Sequence, residues 1–221
     1  MPVSAPERQF LLDQVNRLAQ TDLNRLWTAA ETLATNDFFN FIVDGFPEVA
    51  DPYHQAAGLL SATWFEESLP GSPYVATVAA PLALDKLTTS ARWALGGDGR
   101  VALDRLSGTL QRAVYDGARD TTLVNVQATN SSWARYASAT ACAFCRLLAT
   151  RGDAYRSEQT AATKVHDHCS CLPVEVRDGD YTPPDYVNDW QDQYLTARDN
   201  ADSGDPKAIL SAWRQLGADI T

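Results

Sequence analysis

Leu11, Val15, Leu18, Leu26 and Leu33 recur at roughly helical spacing from the start of the chain, so one flank of this stretch is apolar and the other polar. Ser4-Ala5-Pro6-Glu7 opens it with capping-box spacing, the serine able to hold an orphan amide and Glu7 able to reach back. From Asn36 to Pro52 the texture turns to aromatics and turn formers, with Asp44-Gly45 and two prolines, which predicts a break and a corner. Helical spacing returns from about Tyr53 to Leu69 and ends at Pro70-Gly71-Ser72-Pro73. A third segment, Pro81 to Leu95, stops at Gly96-Gly97-Asp98-Gly99. Leu103, Leu106, Leu110 and Val114 then predict an amphipathic helix with Arg105 and Arg112 on its wet side. Thr121 to Gln127 fits either an extension of that helix or a short strand, because its β-branched content pulls both ways.

Beyond residue 171 the pattern changes. Leu172-Pro173-Val174-Glu175-Val176 alternates like a brief strand, followed by a turn at Arg177-Asp178-Gly179-Asp180. Thr182-Pro183-Pro184-Asp185 starts a helix to about Arg198. A polar hinge from Asp199 to Asp205 precedes a last helix carrying Ile209, Leu210, Trp213 and Leu216, which reads as a detachable arm. The expected fold is mainly α (α+β): a helical region over 1–130, a small Cys/His-stapled, strand-containing unit over 131–200, and a C-terminal helical arm over 201–221.

Composition narrows the partners. A net charge of −10 and a pI near 4.6 make nucleic acid contact at most secondary, since phosphate binding needs a surplus of Lys and Arg. No apolar run approaches the ~18 residues of a membrane span, so no membrane partner is expected, and the first residues lack the basic and apolar regions of a signal peptide. Folding in a reducing cytoplasm is the expectation, and clustered cysteines there favour a metal over disulfides.

The chemistry is concentrated in one window. All four cysteines and two of the three histidines lie in Cys142-Ala143-Phe144-Cys145 and His166-Asp167-His168-Cys169-Ser170-Cys171. Cys-x-x-Cys presents two thiolates from a tight turn, and Cys-x-Cys does the same from an extended segment. Four places on a tetrahedral zinc are contested by Cys142, Cys145, His168, Cys169 and Cys171, with His166 as a possible substitute. Two disulfides, or one beside a reduced pair, are an alternative if the protein is later exposed to oxidant. A third reading is a thiol nucleophile, with Cys142 or Cys145 served by His166 or His168 and oriented by Asp167. Against it stands the second thiol, which tends to trap the first; no Gly-x-Ser-x-Gly elbow supports a serine hydrolase either.

Other features have plain explanations. His54 reads as a solvated or capped helix residue, Phe38-Phe39 and Trp64-Phe65 as core, and Glu66-Glu67 as a charged helix end. Arg151-Gly152-Asp153 reads as a turn, and Arg156-Ser157-Glu158 is weak evidence for nucleotide chemistry.

From Ala141-Cys142-Ala143-Phe144-Cys145-Arg146-Leu147-Leu148-Ala149-Thr150-Arg151-Gly152, through Tyr155-Arg156-Ser157-Glu158, to His166-Asp167-His168-Cys169-Ser170-Cys171 and Val174, the chain resembles the MuF-like minor capsid proteins of tailed phages. The resemblance covers about Ser132 to Arg198 and is nearest to the actinobacteriophage branch often labelled capsid maturation protease. It implies a virion protein packaged inside the head near the portal vertex, in few copies, with the portal or major capsid protein as partner. The implied role is in head assembly or maturation, with zinc as a structural cofactor on the residue reading above. The alternatives are a maturation protease cleaving scaffold or major capsid protein, and, outside the family, a cytosolic zinc-binding adaptor.

Overall fold

Ser4 starts the first helix as its spacing with Glu7 requires: its backbone N–H donates to the Glu7 carboxylate at 2.9 Å and its hydroxyl at 2.6 Å. Those two bonds hold the Glu7 carboxyl below the usual carboxylate range. The computed structural model describes residues 2–155, 167–177 and 179–216 and is mainly helical, with a two-stranded antiparallel sheet. Its elements run α1 (Ala5–Ala30), α2 (Thr35–Glu67), α3 (Leu84–Ala94), α4 (Gly99–Ala128), β1 (Ser132–Tyr136), α5 (Ala143–Ala149), β2 (Leu172–Val176), α6 (Tyr186–Ala201) and α7 (Pro206–Gln215). Among the described residues no helix is long and apolar enough to cross a membrane. Two compact units emerge, Met1–Asn125 with Lys164–Ser170, and Val126–Thr163 with Cys171–Thr221.

In the first unit, α2 corrects the break expected between Asn36 and Pro52. It is one helix of 33 residues with Pro47 and Pro52 inside it. Each internal proline costs about 3 kcal/mol of helix stability. The buried stripe Ile42, Val43, Phe46, Ala50, His54, Ala57 and Ser61 keeps helical period straight through both prolines, and burying it outweighs that cost. The Thr121–Gln127 ambiguity resolves as helix, within α4.

Helices α2 and α4 cross where both carry small residues. A Cβ on Gly117 would collide with the backbone carbonyl of His54, and one on Gly58 would lie 2.9 Å from Val78 and 3.1 Å from the Thr121 hydroxyl. Around this crossing Ser61 donates to the Ala118 carbonyl at 3.0 Å and shares a 2.8 Å hydrogen bond with Thr122. His54 is buried there, not solvated: its Nδ1 is 2.9 Å from the Ala113 carbonyl.

Residues 72–83 form an extended strap that uses side chains where a strand would use a ladder. Asn125 accepts from the Thr77 amide and the Tyr74 hydroxyl and donates to the Thr77 carbonyl, while Thr121 accepts from the Ala79 amide at 3.0 Å. Thr and Asn, poor helix formers in isolation, are here because their side chains satisfy the backbone of a neighbouring segment.

In the second unit, β1 and β2 pair in a register running from Ser132↔Val176 to Tyr136↔Leu172. Trp133 stacks on Tyr155 with ring centroids 4.5 Å apart, and its amide donates to the Tyr155 carbonyl. The expected strand at Leu172–Val176 is present, and the following turn closes from the Asp180 amide to the Arg177 carbonyl, with Gly179 at φ 74°. Helix α7 packs on α6: Trp213 is fully buried and donates to Gln193 at 3.1 Å, and Ile209 is buried beside it. The terminal helical arm is thus packed on α6 through these two side chains.

Candidate metal centre

Cys142 caps α5 in extended conformation (φ −65°, ψ 158°), and Cys145 follows three residues later in the first turn, so the two stand on one helix face. The motif expected as a tight turn is thus the start of a helix. Cys171 directly precedes β2, whose register sets Leu172 opposite Tyr136 and brings Arg135 within reach of the Cys171 sulfur. The Arg135 Nη1–H donates to that sulfur at 2.9 Å, and Arg135 is itself 3% exposed. Its guanidinium lies 5.7 Å from the Trp133 ring centroid, so a cation is held in the interior against an aromatic face and a sulfur.

The backbone on the other side of the Cys-x-Cys segment is clamped as well. The Cys169 carbonyl accepts from Arg119 at 2.7 Å and the Ser170 carbonyl from Gln9 at 2.7 Å. Arg119 is buried and also pairs with Asp116 at 2.8 Å. Cys145, Cys169 and Cys171 are buried, and their sulfurs all lie within 4.8 Å of one another. Sulfurs on a tetrahedral zinc, with bonds of about 2.3 Å, stand about 3.8 Å apart. Closing onto an ion therefore asks each sulfur to move by less than about 1 Å.

Charge supports the same chemistry. Three thiolates on a divalent ion leave one negative charge, and the Arg135 guanidinium on Cys171 cancels it. This group can hold a metal ion in a closed, dry environment. It is poorly built for attack on an external substrate, since Cys145 is 1% exposed and Cys171 2%.

The other residues expected at the site have these positions. Cys142 is half-buried and outside the three-sulfur group. Arg146 lies beside it: burial lowers the guanidinium pKa, while the Cys142 thiol acts in the opposite direction. His168 is exposed and in the left-handed region (φ 63°), where its Nε2 would lie 2.6 Å from a Cβ on Gly108; the ring thus rests against α4 at a glycine. Asp167 pairs with Arg112 at 2.9 Å. His166 and Arg156-Ser157-Glu158 lie outside the described residues. Arg135, Arg119 and Gln9 carry no spacing signal in the sequence; only the strand register and the long-range bonds reveal their part in holding the cysteine segment.

A family described as VG15 protein matches residues 4–197. No curated protein and no solved structure matches the chain. The match spans both compact units and every cysteine of the three-sulfur group. The chain belongs to the VG15 protein family, a viral family that marks it as a phage protein.

Proposed function

We propose that this protein is a minor head component of a tailed phage, acting in head assembly close to the portal, whose cysteine segments are held together by a structural zinc ion. Cys145, Cys169 and Cys171 would supply three ligands, and the fourth comes from Cys142, His168 or His166. The observation that carries this reading is the convergence of three buried thiols next to a buried arginine. A zinc with four protein ligands keeps no open position for water; what it supplies is folding free energy. The phage family and the resemblance to MuF-like minor capsid proteins support the head location.

Docking needs exposed apolar surface, and α1 provides it: Phe10 and Leu18 are each 61% exposed, with Leu11 between them. Such side chains form the anchors of ordinary protein interfaces. The portal or major capsid protein is the partner of choice for that surface. The competing peptidase reading draws on Cys142, the half-buried thiol at the start of α5.

Protein made without reductant is analysed for intact mass and bound metal, then co-expressed with the portal, scaffold and major capsid proteins. One zinc per chain is expected. Arg135→Met should weaken zinc retention by about 10- to 100-fold, as loss of a residue supporting the ligands typically does. Leu18→Glu should reduce co-purification with the portal. Absence of zinc together with two disulfides overturns the metal centre. Cleavage of scaffold or capsid protein that disappears with Cys142→Ala overturns the structural role in favour of a peptidase.

A further inference from the structure

The outward row of α1 has the spacing of a seam between two helices. Leu11, Gln14, Leu18, Thr21, Arg25 and Thr28 follow one another at alternating three- and four-residue steps, and all but Gln14 are exposed. Leu18 is 61% exposed, and so is Phe10 on the flank beside Leu11. Over its second half the row borders a shallow groove of about 590 Å³, lined by Thr21, Asn24, Arg25, Thr28 and Ala29. From Leu11 to Thr28 the row is about 26 Å long, nearly five helical turns.

This row has no acidic residue, in a chain with 28 Asp and Glu against 18 Lys and Arg. The carboxylates that α1 carries beyond its first turn are turned to other helices. Asp13 accepts from the Tyr115 hydroxyl at 2.6 Å and Asp22 from the Tyr53 hydroxyl at 2.5 Å. Arg25 pairs with Asp22 at 2.8 Å, but its side chain is 76% exposed. Such a pair contributes little and leaves the guanidinium open to a second carboxylate. Arg17, exposed next to Leu18, makes no ion pair among the described residues. The face thus offers apolar contact toward the start of α1 and positive charge toward its end.

We propose that this face receives an amphipathic helix of a partner protein, acidic in its first heptad and apolar over the next two. Carboxylates are most stabilising in the first turn of a helix, so the acidic end is the partner's N-terminus. Matching it to Arg25 sets the two helices antiparallel. This pairing rests on the docking role of α1 proposed for the head protein, and it specifies what the partner must present. A second copy of this chain is disfavoured because its own row supplies no carboxylate. Paired parallel, Arg25 meets Arg25; paired antiparallel about Leu18, it meets Leu11.

The probe is a fluorescently labelled three-heptad peptide, N-acetylated and C-amidated, with Glu at the seam positions of the first heptad, Leu at those of the other two, and Ala and Gln elsewhere. Anisotropy is followed as the full chain is added. Saturable binding is expected with Kd on the order of 0.1 mM. Leu18→Ser should weaken it about 10-fold, and Arg25→Glu by a similar factor. A peptide with Lys in place of Glu should recover affinity for the Arg25→Glu chain and bind the parent poorly. Thermal midpoints of both variants should match the parent, since each side chain is exposed. Lack of saturation, or equal affinity of the parent for the Glu and Lys peptides, overturns the assignment. Sedimentation of the chain as a dimer that Leu18→Ser converts to a monomer also overturns it, in favour of a second copy. The titration contains no other phage protein, so failure of this pairing and failure of the head location are separate results.

Discussion

Replacing Gly117 by alanine is the sharpest probe of the helical unit. The new Cβ would overlap the His54 carbonyl oxygen and stand 2.9 Å from its carbon and 3.2 Å from its Cα. Ordinary carbon–carbon contact is about 3.5–4.0 Å, so α2 and α4 must separate by about 1 Å. The obstacle is helix backbone, which cannot swing away as a side chain can. Separation on this scale also opens three buried hydrogen bonds across the crossing: Ser61 to the Ala118 carbonyl, Ser61 to Thr122, and His54 to the Ala113 carbonyl. Overpacking costs about 1–3 kcal/mol and each lost bond about 1 kcal/mol. The better helix propensity of alanine returns about 1 kcal/mol. The net expectation is a loss of about 3–5 kcal/mol, or a fall in Tm of about 6–20 °C for a chain of this size. Gly45→Ala is the matched control, because its Cβ would meet only the end of the Leu26 side chain, which can rotate. Thermal unfolding followed by circular dichroism should show Gly117→Ala strongly destabilised and Gly45→Ala within about 1 kcal/mol of the parent. Equal midpoints for all three proteins would refute the tight crossing.

Asn125→Ala should release the strap at residues 72–83. Loss of its three bonds to Tyr74 and Thr77, about 1 kcal/mol each, should speed amide exchange at Thr77 about 100-fold and lower Tm by about 6–12 °C. Trp213→Ala should cost about 3–5 kcal/mol in the second unit and accelerate tryptic cleavage at Arg198 and Lys207; unchanged cleavage would mean that α7 does not depend on this anchor. At high pH the phenols matter. Burial, aided by Tyr136, pushes Tyr181 up to about 12, and burial likewise raises Tyr115 and Tyr186. A raised folded pKa means that the folded chain keeps protons the unfolded chain releases above about pH 10, so this stabilisation is complete below pH 10 and is lost toward pH 12. Tyr181→Phe should flatten the alkaline loss of stability over that interval, and a slope equal to that of the parent would count against the assignment.

What could be read from the sequence was the part carried by local pattern. The capping box at Ser4, the glycine stop after Leu95, the strand at Leu172–Val176 and the helix after Asp185 each announce themselves within a few residues. Continuity of α2 was also present in the spacing of Ile42, Phe46, Ala50, His54 and Ala57, but the two prolines mask it unless burial is weighed against their cost. Strand β1 gives no alternation because four of its five residues are buried, so neither face is exposed and even Arg135 lies inside. Cysteine spacing singled out Cys145, Cys169 and Cys171, which lie together, and equally Cys142, which stands outside that group. The position of His168 did not follow from spacing, since one left-handed residue redirects the ring and no local rule requires it there. Arg135 is legible only through pairing partners about 40 residues away.

The bond from Gln9 to Ser170 joins positions 161 residues apart, and the first unit is interrupted between Asn125 and Lys164. A ribosome therefore releases the N-terminal helices well before their last piece exists. Until residue 170 emerges, the nascent helices hold Gln9 and Arg119 ready without the carbonyls they are shaped to bind. Completion of this half of the molecule is timed by synthesis of the other.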